Sequence, residues 1–156
     1  MRLLLQTDYA LRVLLYLAAV DRRSTAEEMA VAYGISKDHL VKVIRQLDRL
    51  GYARTLPGRG GGVELRRDPA AISVGRVVAD FEGRSGILDC VEAPEACPME
   101  PGCHLRNVLM DAEEAFYAKL EPVTIADLTR PAGKLAAGLS RVVQLERFGG
   151  GLSRPA

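Results

Sequence analysis

One stretch constrains the fold of this chain more than any other: "GISKDHLVKVIRQLDRLGY", which runs from Gly34 to Tyr52. At about 100° per residue, Leu40, Val43, Ile44, Leu47 and Leu50 fall on one face of a helix. Asp38, Lys42, Arg45 and Arg49 fall on the opposite face. The apolar stripe needs a core to bury it. The outer stripe is basic apart from Asp38. A plain solvated face would carry such residues too, so context has to decide between that and a polyanion-binding face.

The context on both sides favours the second. Upstream, "TDYALRVLLYLAAV" places Tyr9, Val13, Leu14 and Leu17 on a wide helical stripe, with Thr7 or Asp8 as its cap. "STAEEMAVAYGIS" has Ser24 three residues before Glu27, a capping-box spacing, and the helix it opens ends at Gly34. Ser36 then caps the basic helix. Helix, short glycine turn and helix form the helix-turn-helix pattern. Downstream, "YARTL" and "VELRR" read as two strands joined by the tight turn "PGRGGG". A helix-turn-helix followed by such a hairpin is a winged helix, and Arg59 sits at the wing tip. A nucleotide-binding loop is the weaker reading of these glycines, because no Gly-Lys-Ser/Thr follows and strands flank them.

Charge is distributed to match. The net charge is only +1. Residues 1–67 nevertheless carry 12 Lys/Arg against 7 Asp/Glu, and residues 68–156 carry 9 against 13. The first part suits a polyanion and the second does not. With 48% hydrophobic and 26% charged residues the composition is that of a globular chain. The longest apolar run, Val13 to Val20, is about half a membrane span. "QTDY" interrupts the place where a secretory segment would continue, so the expected location is cytoplasmic, with no membrane partner. No nucleophile–base set is evident and the two histidines lack catalytic partners, so no enzyme is expected.

Beyond Asp68 and Pro69, Ser73 caps a helix reaching about Glu82. "LRNVLMDAEEAFYAKL", from Leu105 to Leu120, aligns Leu105, Val108, Leu109, Ala112, Phe116 and Leu120 on one side. A partner helix from a second copy would cover that stripe. Pro122 closes it, and Thr124 caps a last short turn, "IADL". These features divide the chain into a winged helix-turn-helix over 1–68, a loop and dimerisation helix over 69–130, and a mobile tail over 131–156. The fold class is mainly α with a small β-hairpin wing.

The three cysteines, Cys90, Cys97 and Cys103, all lie in "CVEAPEACPMEPGCH". A loop stiffened by prolines can converge thiolates on one point, which soft metals and iron–sulfur clusters require. No C-x2-4-C pair marks a zinc knuckle. Asp89, Glu92, Glu95 and Glu100 oppose a free thiolate, whereas a bound cation overrides that opposition. His104 is a second-rank ligand, since adjacent residues point apart, and a carboxylate from elsewhere is another candidate.

At this point the chain resembles the winged-helix iron–sulfur transcriptional regulators of the NsrR/IscR family. The likeness covers roughly residues 1–130 and rests on "TDYALRVLLYLA", "GISKDHLVKVIRQLDRLGY", the glycine-rich wing, "CPMEPGCHLRNVL" and "TIADL". The "HLVKVIRQL" register and Cys-Pro-x-x-Pro-x-Cys are most similar to the nitric-oxide-sensing branch. His104 directly follows Cys103, unlike the histidine-ligating branch. The wing begins Pro57-Gly58 rather than Arg-Gly, which leaves Arg59 better suited to phosphate than to the minor groove. The resemblance implies a homodimeric repressor that binds a palindromic double-stranded DNA operator and holds an iron–sulfur cluster, with 4Fe–4S preferred to 2Fe–2S. It implies Cys90, Cys97 and Cys103 as ligands, with Asp8 from the other subunit as the fourth. Nitric oxide is the implied signal, its reaction at the cluster releasing DNA. Redox or iron sensing, or a structural zinc, is the alternative. Ser36, Lys37, His39, Lys42, Arg45 and Arg59 are the expected DNA-facing residues.

Overall fold

The computed structural model describes residues 3–83, 98, 99, 102–129 and 138. The expectations for Cys90, Cys97, the acidic residues around them and the 131–156 tail fall outside the described residues, apart from Gly138 in that tail. Among the described residues the order is α1 (Leu5–Val20), α2 (Ala26–Tyr33), α3 (Lys37–Arg49), β1 (Ala53–Leu56), β2 (Gly62–Leu65), a 3-10 turn (Pro69–Ala71), α4 (Val74–Glu82), α5 (His104–Leu120) and α6 (Ile125–Thr129).

The apolar stripes meet in one core. Val13 and Leu14 of α1, Leu40 and Leu47 of α3, Val77 of α4 and Ile125 of α6 are all fully buried. Each large aliphatic side chain so buried stabilises the fold by roughly 1.5–3 kcal/mol before entropy is counted. Leu50, the last member of the α3 stripe, is only half-buried, because α3 ends at Arg49. Gly34 closes α2 with φ +63, a left-handed conformation that costs glycine nothing.

Three caps differ from their sequence reading. The capping box of α2 uses Thr25 and Glu28, one residue later than expected. The Glu28 amide donates to Thr25 Oγ1 at 3.1 Å and the Thr25 amide to Glu28 Oε2 at 2.6 Å. Ser24 is unavailable because its backbone pairs with Val63, at 2.9 and 2.8 Å, as a short third edge on the hairpin. Helix α1 begins at Leu5, ahead of Thr7 and Asp8, and has no local side-chain cap. Thr7 is instead fully buried and donates to Glu82. Ser36 does occupy the N-cap position of α3 but makes no capping side-chain bond. Ser73 and Thr124 cap α4 and α6 as expected, Thr124 by exchange with Asp127.

The hairpin is antiparallel, pairing Ala53 with Leu65 and Leu56 with Gly62. Its strands are one residue shorter than "YARTL" and offset from "VELRR"; just beyond them the Arg66 amide still donates to the carbonyl of the buried Tyr52 at 3.0 Å. Gly61 has no room for a side chain: a Cβ there would lie 2.2 Å from the Leu56 carbonyl oxygen.

The shifted capping box is testable. Burial pushes the Glu28 carboxyl up, but the Thr25 amide and Arg22 outweigh it and hold it below its ordinary 4.5. A depressed acid contributes stability that is present above its unfolded value and is lost as pH falls through its folded one. Glu28→Gln should therefore cost about 1 kcal/mol at pH 7 in a urea titration. The cost should shrink as pH falls below the ordinary 4.5 and through the depressed pKa. A pH-independent difference would contradict the reciprocal box.

Candidate nucleic-acid interface and thiol segment

Helix α3 presents Asp38, His39, Lys42, Arg45 and Arg49 to solvent, because its other face is committed to the core. The helix start is fixed from α2: Lys37 Nζ lies 2.7 Å from Glu27 Oε2, and that carboxylate raises the Lys37 pKa. Ser36 is exposed beside it. The His39 ring lies 6.5 Å from the Tyr9 ring of α1, centroid to centroid. An open cleft of about 340 Å³ lies here, lined by Leu4, Leu5, Tyr9, His39, Lys42 and Gln46 among others. All five predicted residues from Ser36 to Arg45 thus lie on one exposed helix and its cap.

Arg59 is exposed at the wing tip as expected. The base of the wing adds two arginines that sequence reasoning missed. Glu64 on β2 faces Arg54 on β1 across the ladder and forms an ion pair with it. Arg23, from the α1–α2 connection, lies 3.1 Å from Glu64 Oε2 and also donates to the Gly60 carbonyl at 3.3 Å. Both arginines hold the Glu64 carboxyl below its ordinary value. Arg54 was legible in principle, since "YARTL" alternates. Arg23 was not, because its approach depends on the non-local pairing of Ser24 with Val63.

The remaining site residues lie elsewhere. Asp8 sits in the first turns of α1 and accepts from Arg12 Nε at 2.9 Å. That partner raises the Arg12 pKa. The same guanidinium lies over the Tyr33 ring at 5.6 Å, and burial pushes the Tyr33 phenol up to about 12. Cys103 is half-buried, unbridged and in the N-cap position of α5, without a side-chain capping bond. His104 is the exposed first residue of that helix. Among the described residues no three His, Cys, Asp or Glu side chains converge on a metal-sized point. The apolar stripe of α5 is split. Phe116, Tyr117 and Leu120 pack on the core, whereas Leu105 and Val108 are 61% and 51% exposed. Helices α4 and α5 approach closely, a Cβ on Gly75 falling 2.6 Å from the Glu121 amide nitrogen.

A helix-turn-helix whose second helix turns a basic face outward, followed by an arginine-bearing hairpin, defines a winged-helix protein. The chain belongs to the Rrf2 family, whose model, described as "Iron-dependent Transcriptional regulator", matches residues 4–131. It is 43% identical over 133 residues to the HTH-type transcriptional regulator NsrR of Bacillus subtilis, covering 83% of this chain and 91% of that one. It is 41% identical over 144 residues to the HTH-type transcriptional repressor NsrR of Streptomyces coelicolor, covering 90% and 97%. These relatives are transcriptional regulators, not enzymes. In fold it is similar to T. potens IscR, with a TM-score of 0.70 at 20% identity over 86% of this chain and 90% of that one. The B. subtilis cysteine regulator CymR gives 0.69 at 20% identity over 83% and 97%. No helix among the described residues is long and apolar enough to cross a membrane.

The exposed α3 face makes a quantitative prediction. Lys42→Ala or Arg45→Ala should weaken binding to a duplex selected from a random pool. Each should lower the slope of log affinity against log salt by about 1 if it contacts phosphate. An unchanged affinity and slope would remove that residue from the interface.

Proposed function

We propose that the chain is a homodimeric DNA-binding repressor of the cytoplasm whose iron–sulfur cluster senses nitric oxide. The observation that carries the DNA-binding part is the exposed basic face of α3 beside a wing bearing Arg54 and Arg59, with Arg23 of the α1–α2 connection at its base. The two relatives named NsrR support the repressor part. In this reading α3 enters the major groove of the operator, with Lys42 and Arg45 reaching base edges or phosphates. Ser36, Lys37 and His39 anchor the helix start, and Arg59 follows the neighbouring phosphates. Residues 1–68 read DNA, 69–130 sense and dimerise, and 131–156 form the tail.

The donor chemistry of Cys103 fits a cluster. It occupies the N-cap position of α5 and its side chain makes no capping bond, which leaves the sulfur available as a ligand. Cys90, Cys97 and Cys103 would hold the group, 4Fe–4S in preference to 2Fe–2S, and Asp8 from the second subunit would complete the set. When bound, such a cluster supplies iron that reacts with nitric oxide. The chain's own part would be to hold the cluster through three thiolates and one carboxylate, the carboxylate being the weaker ligand for iron. Arg12 orients the Asp8 carboxylate along the helix through their 2.9 Å ion pair. Leu105 and Val108, exposed on α5, are the apolar surface that a second copy would cover.

The test is iron, sulfide and zinc content of protein purified without oxygen, with its visible spectrum. Iron and sulfide near four each per chain are expected, with loss of the spectrum in Cys90→Ser, Cys97→Ser or Cys103→Ser. Zinc without colour would overturn the sensor and leave a structural metal. A full spectrum in any cysteine variant would remove that ligand.

A further inference from the structure

The last turn of α4 carries two carboxylates that both bond to other elements. Glu82 Oε1 accepts from the Leu4 amide at 2.8 Å and from the Thr7 hydroxyl at 2.5 Å. Leu4 is the N-cap of α1 and offers no capping side chain, so Glu82 supplies the cap from a distant point in the sequence. The residue after Thr7 is Asp8.

The second carboxylate is Asp80. Its Oδ2 accepts from the Tyr52 phenol at 2.6 Å, and Tyr52 is only 2% exposed. Tyr52 occupies the turn between α3 and β1. Its amide donates to the Leu47 carbonyl of α3 at 2.9 Å, and its carbonyl accepts from the Arg66 amide just past β2 at 3.0 Å. Arg67 lies over the Tyr52 ring at 4.9 Å and donates to the Leu50 carbonyl, at the end of α3, at 3.3 Å. Arg76 Nε lies 3.6 Å from Asp80 Oδ1.

One helix end is therefore tied to the start of α1, to the end of α3 and to the base of the wing. The apolar side of α4 already anchors it through Val77, Val78 and Phe81. Packing of that kind resists separation but leaves small rotations and slides cheap. Bonds to a charged acceptor fix direction as well as distance. Phe at position 52 would fill nearly the same space as Tyr, so what the phenol adds is the directed bond to α4. Helix α4 ends eight residues before Cys90 in the sequence.

Resting on the reading of a cluster-bearing repressor, we propose that Asp80 and Glu82 are positioning residues. They lock α4 to the recognition helix and to the helix bearing Asp8, so that a change at the cysteine segment is passed to the DNA-reading surface. Tyr52 is the receiving group on the recognition side and Thr7 on the Asp8 side.

The experiment measures operator affinity of the full-length chain, with and without its cluster, for wild type, Tyr52→Phe and Asp80→Asn. It adds amide hydrogen exchange of cluster-free Glu82→Gln. Wild type should bind at least roughly tenfold tighter with the cluster, an ordinary size for coupling between sites. Tyr52→Phe should keep its iron content and far-ultraviolet circular dichroism, yet shrink that ratio about threefold or more. Asp80→Asn keeps an acceptor without its charge and should fall between, which preserves the test should Tyr52→Phe not fold. Glu82→Gln should speed exchange at the first amides of α1 about tenfold, with α3 unchanged. A wild-type ratio in both Tyr52→Phe and Asp80→Asn, with the cluster retained, would overturn the positioning role and leave the repressor reading intact. A wild-type protein with equal affinity in both states would overturn the cluster-sensing reading and this inference together, while leaving a DNA-binding repressor.

Discussion

Everything on the DNA-reading side depends on the burial of α1. Val13 and Leu14 have no solvent exposure and Leu17 has almost none, and α3, α4, α6 and β2 all pack against this helix. Helix α3 turns Lys42 and Arg45 outward because Leu40, Val43, Ile44 and Leu47 have a surface to meet. A substitution that opened the α1 core would tilt the basic face before it changed any charge. The same helix carries Asp8, so one packed element bears on both the DNA-facing surface and the proposed ligand set.

Electrostatics refine that frame rather than build it. Glu64 sits between Arg23 and Arg54 and leaves the wing base with one net positive charge from three groups. These pairs are solvent-exposed, so each is worth little to stability and weakens with salt. Their consequence is geometric: the α1–α2 connection, both strands and the wing turn become one unit through Glu64 and the Gly60 carbonyl. A wing held in this way presents Arg59 from a fixed base, although its tip is glycine-rich.

The sequence was most legible where periodicity spoke. The α3 stripe and the Ser73 and Thr124 caps appear at the expected places, because each depends on residues within a few positions of one another, and the hairpin forms where its turn predicts it, with strands shifted by about a residue. Long-range partners displaced the rest. Ser24 lost its capping role to a bridge with Val63, so the box moved to Thr25. Thr7 lost its role to Glu82, which no local pattern announces. On α5 the sequence showed one apolar stripe, but α4 and the core take Phe116 and Leu120 and leave Leu105 and Val108 outside. Of the proposed ligand set, Asp8 and Cys103 lie among the described residues; Cys103 was a candidate ligand from the clustering of three cysteines in one proline-rich stretch, whereas Asp8 came from the resemblance alone.

The central claim is that one chain joins a winged-helix reader to a gas-sensing cluster. The most direct measurement is operator affinity of a single anaerobic preparation before and after stoichiometric nitric oxide, followed with the visible spectrum. The account predicts tight binding at first, then loss of roughly tenfold or more in affinity as the cluster spectrum changes. Unchanged affinity across a complete spectral change would contradict it, because the reader and the sensor would then share a chain without sharing a signal.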